Sequence, residues 1–295
     1  MMQLAPSPGP HVETEACASS SPTPQTPPAR KAKPIVKWAG GKTRLLGELG
    51  KRMPPAFGRY FEPFFGGGAV FFSLAPHDAT LSDINEELII LYRCVRDDVD
   101  GLIRELQHHP YEKDHYYWMR SLDPATLTSL ERAARTLYLN RTCFNGLYRV
   151  NRRGQFNVPM GRYQNPTICD PDKLGRASQA LTDVDIEHAG FAEMMTRPVA
   201  GDLVYFDPPY QPISKTANFT SYTAGAFGED DQARLAATFT DLTNSGVHCM
   251  LSNSDTPLIR ELYKDFRVDV VLAPRLISRK ASGRRPVREV IVRNY

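Results

Sequence analysis

The sequence predicts an α/β fold: a Rossmann-like, mostly parallel sheet with helices on both faces, carrying an inserted helical and β-hairpin domain. Three observations support this. Short apolar runs alternate with amphipathic stretches along most of the chain. A triple glycine lies between an apolar run and a helical one. A second apolar run, "LVYF" (203–206), ends on Asp207 and two prolines, as a buried strand does at the carboxyl edge of a parallel sheet. With 295 residues, 41% of them apolar, the chain can fill one large core plus an insertion.

The elements follow in order. Residues 1–32 are rich in Pro, Ser, Thr and Ala and hold few large apolar side chains, so they are expected to form a disordered tail. "RYFEPFFGGGAVFFSL" (59–74) gives a strand, a glycine turn and a helix. "ATLSDINEELIILYRCV" (79–95) gives a strand ending at Asp83, then a helix. Residues 96–140 have helical spacing, and 145–163 turn to alternation around "NRRGQ", which predicts a hairpin. Strands return at 183–188, 202–210, 247–255, 266–274 and 288–295, with a helix at 230–246 that stops at a glycine. The expected division is a catalytic domain of 33–85 and 170–295, with a recognition insert of 86–169 between its parts.

Composition removes several classes of function. No run of 18 apolar residues exists, so no membrane span is expected, and the first thirty residues lack an apolar signal core. The five cysteines (17, 94, 143, 169 and 249) are scattered, with no C-x-x-C pair, so neither a disulfide framework nor a metal site is expected; a reducing cytoplasm suits them. The net charge of +3 hides an uneven distribution. Residues 29–44 hold six Lys/Arg and no acid, 141–162 hold five Arg and no acid, and 275–293 hold seven Lys/Arg and one Glu. Brought together they would form a basic cleft for a polyanion; apart, each is a solvated face.

Two motifs suggest a nucleoside cofactor. Glycines 66–68 allow close backbone approach at a helix N-terminus, and Asp83 at the end of the next strand can accept from a ribose. The third glycine of a dinucleotide fingerprint is missing, since Phe71 stands there, which argues against a nicotinamide-dependent oxidoreductase. "KWAGGKTRLL" (37–46) contains G-K-T, but Val36 occupies the position of the first P-loop glycine, so ATP is not the reading. Trp38 can pack on a ring or a sulfonium, and Lys42 can anchor a carboxylate. A methionine-derived cofactor combines adenine, ribose, sulfonium and carboxylate.

"DPPY" (207–210) offers a grip for an aminated base. An exocyclic amine has two hydrogens and needs two acceptors; the Asp207 carboxylate and the Pro208 carbonyl can supply them. Pro208 and Pro209 stiffen the backbone, and Tyr210 can stack on the ring. The plainer alternative is a proline turn beside a surface acid.

With "FFGGG" upstream, "DPPY" resembles the amino-methyltransferases of DNA. "NRTCFNGLYRVNRRGQFNVPMGRY" (140–163) and "TANFTSY" (216–222) closely resemble the DNA adenine methylase family, class alpha, from about residue 34 onward. The resemblance implies an S-adenosylmethionine-dependent methyltransferase sheet with a DNA-recognition insert. It implies S-adenosyl-L-methionine held by Trp38, Lys42, Phe64, Gly66, Gly68, Asp83 and Asp207. It implies catalysis by Asp207, Pro208, Pro209 and Tyr210, without metal, on an adenine flipped out of double-stranded DNA. The DNA contacts it implies are Lys37, Arg141, Phe144, Asn145, Leu147, Arg149, Pro159 and Arg162, with GATC as the target. Phe144 departs slightly, since the family often has tyrosine there. A monomer or weak dimer on DNA, in a bacterial or phage cytoplasmic setting, is expected. The alternatives are a protein glutamine methyltransferase, whose usual signature has Asn in place of Asp207, and a DNA-binding protein without catalysis.

Overall fold

A computed structural model describes residues 32–212, 227–273 and 287–295. The expected tail, apart from Ala32, lies outside the described residues, as do "TANFTSY" and most of the third basic stretch. Among the described residues seven strands form one sheet: β1 (Tyr60–Glu62), β2 (Ala79–Asp83), β3 (Asp185–His188), β4 (Leu203–Phe206), β5 (His248–Ser254), β6 (Arg267–Ala273) and β7 (Val287–Arg293). Their order is β3-β2-β1-β4-β5-β7-β6. The first five pair in parallel, and β7 runs antiparallel to both β5 and β6.

Strand alternation sends side chains into two separate cores. On β4, Leu203 and Tyr205 enter one core while Val204 and Phe206 enter the other. The first core is covered by α1 (Leu46–Gly50), α2 (Ala69–Leu74), α3 (Glu86–Asp97), α4 (Val99–Gln107), α5 (Lys113–Ser121), α6 (Ser129–Thr142) and α7 (Pro171–Leu181). The second is covered by α8 (Phe191–Met194), α9 (Glu229–Asn244) and α10 (Pro257–Leu262). Helices therefore lie on both faces of the sheet.

Local sequence accounts for the helix ends. Asn85 caps α3 by accepting from the Leu88 amide. Thr128 and Glu131 form a reciprocal capping box at the start of α6. On α9, Leu235, Phe239 and Leu242 share the buried face, and Phe239 packs against Phe206, Tyr263 and Phe266. That helix ends just before Gly246, whose φ of 77° suits glycine.

The expected hairpin is present in irregular form. Residues 143–160 carry two isolated antiparallel bridges, Cys143 with Met160 and Val150 with Phe156, and no regular strand. Asn145 and Gly146 both have positive φ, and Pro159 lacks an amide donor, so the ladder cannot propagate. The tip keeps its turn: Asn151 accepts from the Arg153 and Gln155 amides, and Gly154 has φ 75°. Cys143, Phe156 and Val158 from this excursion join the first core.

Candidate active site

The carboxyl ends of β1, β2 and β4 open onto a cavity of about 760 Å³. Its lining includes Trp38, Lys42, Phe64, Gly66, Gly68, Asp83, Asp207 and Tyr210. Each cofactor residue expected from the sequence thus borders one space.

The glycine loop is held from below. Asp83 accepts from the Gly66 amide at 2.9 Å and from the Asn85 amide at 2.8 Å. Tyr92 donates to the Gly66 carbonyl at 3.2 Å. Gly66 and Gly68 have φ of 49° and 65°, a region that favours glycine. A Cβ on Gly66 would come within 2.8 Å of the Trp38 indole. The loop and the tryptophan therefore fit together only without a side chain at position 66. Burial pushes the Asp83 carboxyl above its ordinary pKa, and the amides of Asn85 and Gly66 oppose that rise. A carboxylate has four lone-pair sites, so these amides leave acceptor capacity on Asp83 for a ligand hydroxyl.

Asp207 is tied to its surroundings more tightly than the sequence implies. Lys42 Nζ lies 2.7 Å from Asp207 Oδ1 and donates to the Gly40 carbonyl at 2.5 Å. The same ammonium lies 4.4 Å from the centroid of the Tyr210 ring. Ser252 donates to Asp207 Oδ1 at 3.1 Å, which leaves the Ser252 oxygen to accept from the Tyr205 hydroxyl at 2.9 Å. Burial raises the Asp207 pKa, and Lys42 and Ser252 counter it. Lys42 thus bonds to a carboxylate of the protein itself, where the sequence reading reserved it for a ligand.

The rest of the Asp-Pro-Pro-Tyr segment is braced by residues that the sequence reading missed. Gln232 donates to the Pro209 carbonyl at 2.9 Å, and the Gln211 amide donates to Asn253 Oδ1 at 3.0 Å. Asn253 in turn donates to Gln232 Oε1 at 3.0 Å. Tyr210 donates its hydroxyl to Glu289 Oε2 at 2.9 Å. The polar, buried run Ser252-Asn253-Ser254 in an otherwise apolar strand was the available signal. Glu289 offered none, because one acid at the start of a strand reads as surface.

Lys37 and the turn at 144–147 meet beside this cavity. Asn140, only 4% exposed, accepts from the Lys37 amide and donates to the carbonyls of Lys37 and Gly146. Lys37 Nζ reaches the Tyr163 hydroxyl and lies over its ring. The Phe144 amide donates to the Pro159 carbonyl at 2.9 Å. Phe144 keeps 48% of its surface in solvent, which is high for a phenyl ring. Asn145, Arg149, Pro159 and Arg162 are exposed, and Leu147 is half-buried. Arg149 also donates to Asn157 Oδ1 at 2.6 Å and so straps the two limbs of the excursion. Arg141 turns inward and donates to the Ile35 carbonyl at 2.5 Å. In the third basic stretch, Arg288 shares Asp255 with Arg260, and Arg293 shares Asp269 with Arg52. Among the described residues, no cluster of three or more His, Cys, Asp or Glu could hold a metal ion, and no helix is long and apolar enough to cross a membrane.

Strand order, glycine cradle and the Asp-Pro-Pro-Tyr segment together define an α/β enzyme with one glycine-lined pocket at the carboxyl edge of its parallel strands. The chain belongs to the D12 class N6 adenine-specific DNA methyltransferase family, whose pattern matches residues 38–275. It is 45% identical over 271 residues to the type II methyltransferase M1.LlaDCHI of Lactococcus lactis subsp. cremoris, covering 89% of this chain and 95% of that one. It is 40% identical over 288 residues to the type II methyltransferase M.MjaIII of Methanocaldococcus jannaschii, covering 90% and 100%. It is 38% identical over 268 residues to the DNA adenine methylase of Serratia marcescens, covering 89% and 98%.

Proposed function

We propose that this adenine-specific DNA methyltransferase moves a methyl group from S-adenosyl-L-methionine to N6 of an adenine flipped out of double-stranded DNA, with GATC as its target. The observation that carries this reading is the convergence of Asp83, the glycine cradle, Asp207 and Tyr210 on one cavity. The residues fit the cofactor: Asp83 has acceptor capacity left for ribose hydroxyls, Trp38 and Phe64 supply apolar walls, and the cradle admits close approach. Bound there, S-adenosylmethionine supplies an electrophilic methyl carbon on sulfur.

The protein's part is to hold the amine. The Asp207 carboxylate and the Pro208 carbonyl accept its two hydrogens, which directs the nitrogen lone pair toward the cofactor side. Tyr210 stacks on the base. Asp207 stabilises the positive charge that builds on N6 and takes the proton released after transfer. An adenine inside a duplex cannot reach this pocket, which is why flipping belongs to the reading. Residues 86–169 act as the recognition insert. Phe144 and Asn145 fill the vacated stack, Leu147 and Pro159 touch a thymine methyl, and Lys37, Arg141, Arg149 and Arg162 contact bases or phosphates. Arg141, which turns inward to the Ile35 carbonyl, must move to do so. The chain acts as a monomer or weak dimer on DNA in the cytoplasm.

The test is to incubate the protein with labelled cofactor and a duplex library, then map the modified bases. Methyl groups confined to the adenine of GATC are expected. Modification of cytosine, or of adenine in every context, overturns the corresponding part of the reading.

A further inference from the structure

We propose that Glu289 is a positioning residue for methyl transfer: it fixes the Tyr210 ring in the plane on which the base stacks, by accepting the tyrosine hydroxyl. The inference rests on the reading of Tyr210 as the stacking platform. Glu289 Oε2 accepts from Tyr210 Oη at 2.9 Å. Its backbone is held on both sides, since Glu289 pairs with Ser254 of β5 and with Val271 of β6. A side chain on a strand hydrogen-bonded along both edges makes a rigid post.

The rest of the segment shows why the post matters. The backbone beside Tyr210 is already anchored, through the Pro209 carbonyl to Gln232 and the Gln211 amide to Asn253. What remains is rotation of the tyrosine side chain. Lys42 covers one face of the ring at 4.4 Å and Glu289 holds its tip, so ring tilt and swing are both stopped. Two carboxylates, Asp207 and Glu289, thereby share the field of one ammonium. Asp207 faces the reacting amine; Glu289 bonds to the tyrosine and acts through it.

The experiment is a double-mutant cycle read by single-turnover methyl transfer at saturating DNA and cofactor. Glu289→Ala should slow transfer about 10- to 100-fold, as expected for loss of a hydrogen bond to a charged acceptor. Cofactor affinity should change less than about threefold. Glu289→Gln keeps an acceptor and should restore the rate to within about fivefold of wild type. In a Tyr210→Phe background the hydroxyl is gone, so adding Glu289→Ala should cost less than about twofold more. Glu289→Met, close in size and without an acceptor oxygen, replaces the alanine variant should that one not fold. An undiminished rate in Glu289→Ala, a glutamine variant as slow as alanine, or a full-sized loss in the phenylalanine background overturns the inference. A wild-type protein that methylates no adenine overturns the parent reading, and this one with it.

Discussion

The Lys42 ammonium lies 2.7 Å from Asp207 and 4.4 Å from the centre of the Tyr210 ring, so one cation serves both the acid and the aromatic of the same four-residue segment. Burial lifts the Asp207 pKa, and Lys42 is the main force holding it down. Lys42→Met removes that force. With cofactor and DNA saturating, the acid limb of the rate-pH profile should move to higher pH by roughly one to three units. The shift follows because a carboxyl with a higher pKa ionises later. A limb that stays in place shows that Lys42 does not set the charge of Asp207.

Asp207 itself gives the most direct prediction. Asp207→Ala removes one of the two proposed amine acceptors and leaves the turn at 144–147, which carries the exposed Phe144, untouched. Methyl transfer should fall by at least about a thousandfold, while duplex affinity measured by anisotropy should stay within about threefold. Retained turnover refutes its assigned role.

Gly66 tests the cradle. An alanine there would bring a Cβ within 2.8 Å of Trp38 and hold a φ of 49°. Gly66→Ala should cost about 1–3 kcal/mol of stability and weaken cofactor binding by calorimetry. Gly47 in α1 has no atom within 4 Å of the same imagined carbon, so Gly47→Ala should be neutral or stabilising by up to about 1 kcal/mol. Equal effects at the two positions count against the cradle.

Asn140 joins two segments 103 residues apart, bonding the amide and carbonyl of Lys37 while also reaching the Gly146 carbonyl. Asn140→Ala removes the partner of the part-buried Lys37 amide and carbonyl and of the buried Gly146 carbonyl. Thermal or denaturant unfolding should show a loss of about 2–4 kcal/mol. Duplex affinity should fall as well, because Lys37 and the Phe144–Asn145 turn lose their common anchor. A destabilised variant with unchanged DNA affinity separates the two roles.

A pH prediction comes from the helical region. His109 packs on Tyr138 and His115, and its Nδ1 lies 3.1 Å from His115 Nε2. Burial, then the neighbouring His115 and His108, lowers its pKa from 6.5 to about 4. The unfolded chain therefore binds the proton near pH 6.5 and the folded chain only near pH 4. Between those values the unfolded state holds more protons, so stability falls as pH falls across this window. His109→Gln should flatten the slope of stability against pH relative to wild type, and an unchanged slope rules out this origin.

Much of the architecture was written in local patterns. The apolar run at 203–206 fell where a strand buried on both faces was expected, and α9 began and stopped within two residues of the expected 230–246. Other elements were present in the sequence but unread. Asp170 followed by Pro171, with Leu174, Ala177 and Leu181 on one face, marks α7, and Thr256-Pro257 marks the start of α10. The hairpin lacks regular strands because alternation of side chains does not supply ladder hydrogen bonds where positive φ and proline interrupt them. The contact between Lys42 and Asp207 was beyond local reading. Those residues lie 165 positions apart, and only the strand order places the end of β4 beside the segment preceding α1. The same holds for Glu289, whose partner Tyr210 is 79 residues away.

Among the described strands, the reversed β7 is what bridges β5 and β6 in the sheet. During synthesis, a chain that has emerged only through β6 lacks that bridge and has no carboxylate for the Tyr210 hydroxyl. The pocket can bear its early parts, Lys42 and the glycine loop, long before it becomes competent. Closure of the Tyr210–Glu289 hydrogen bond therefore waits for β7 to leave the ribosome, which makes it a late event in the assembly of the site.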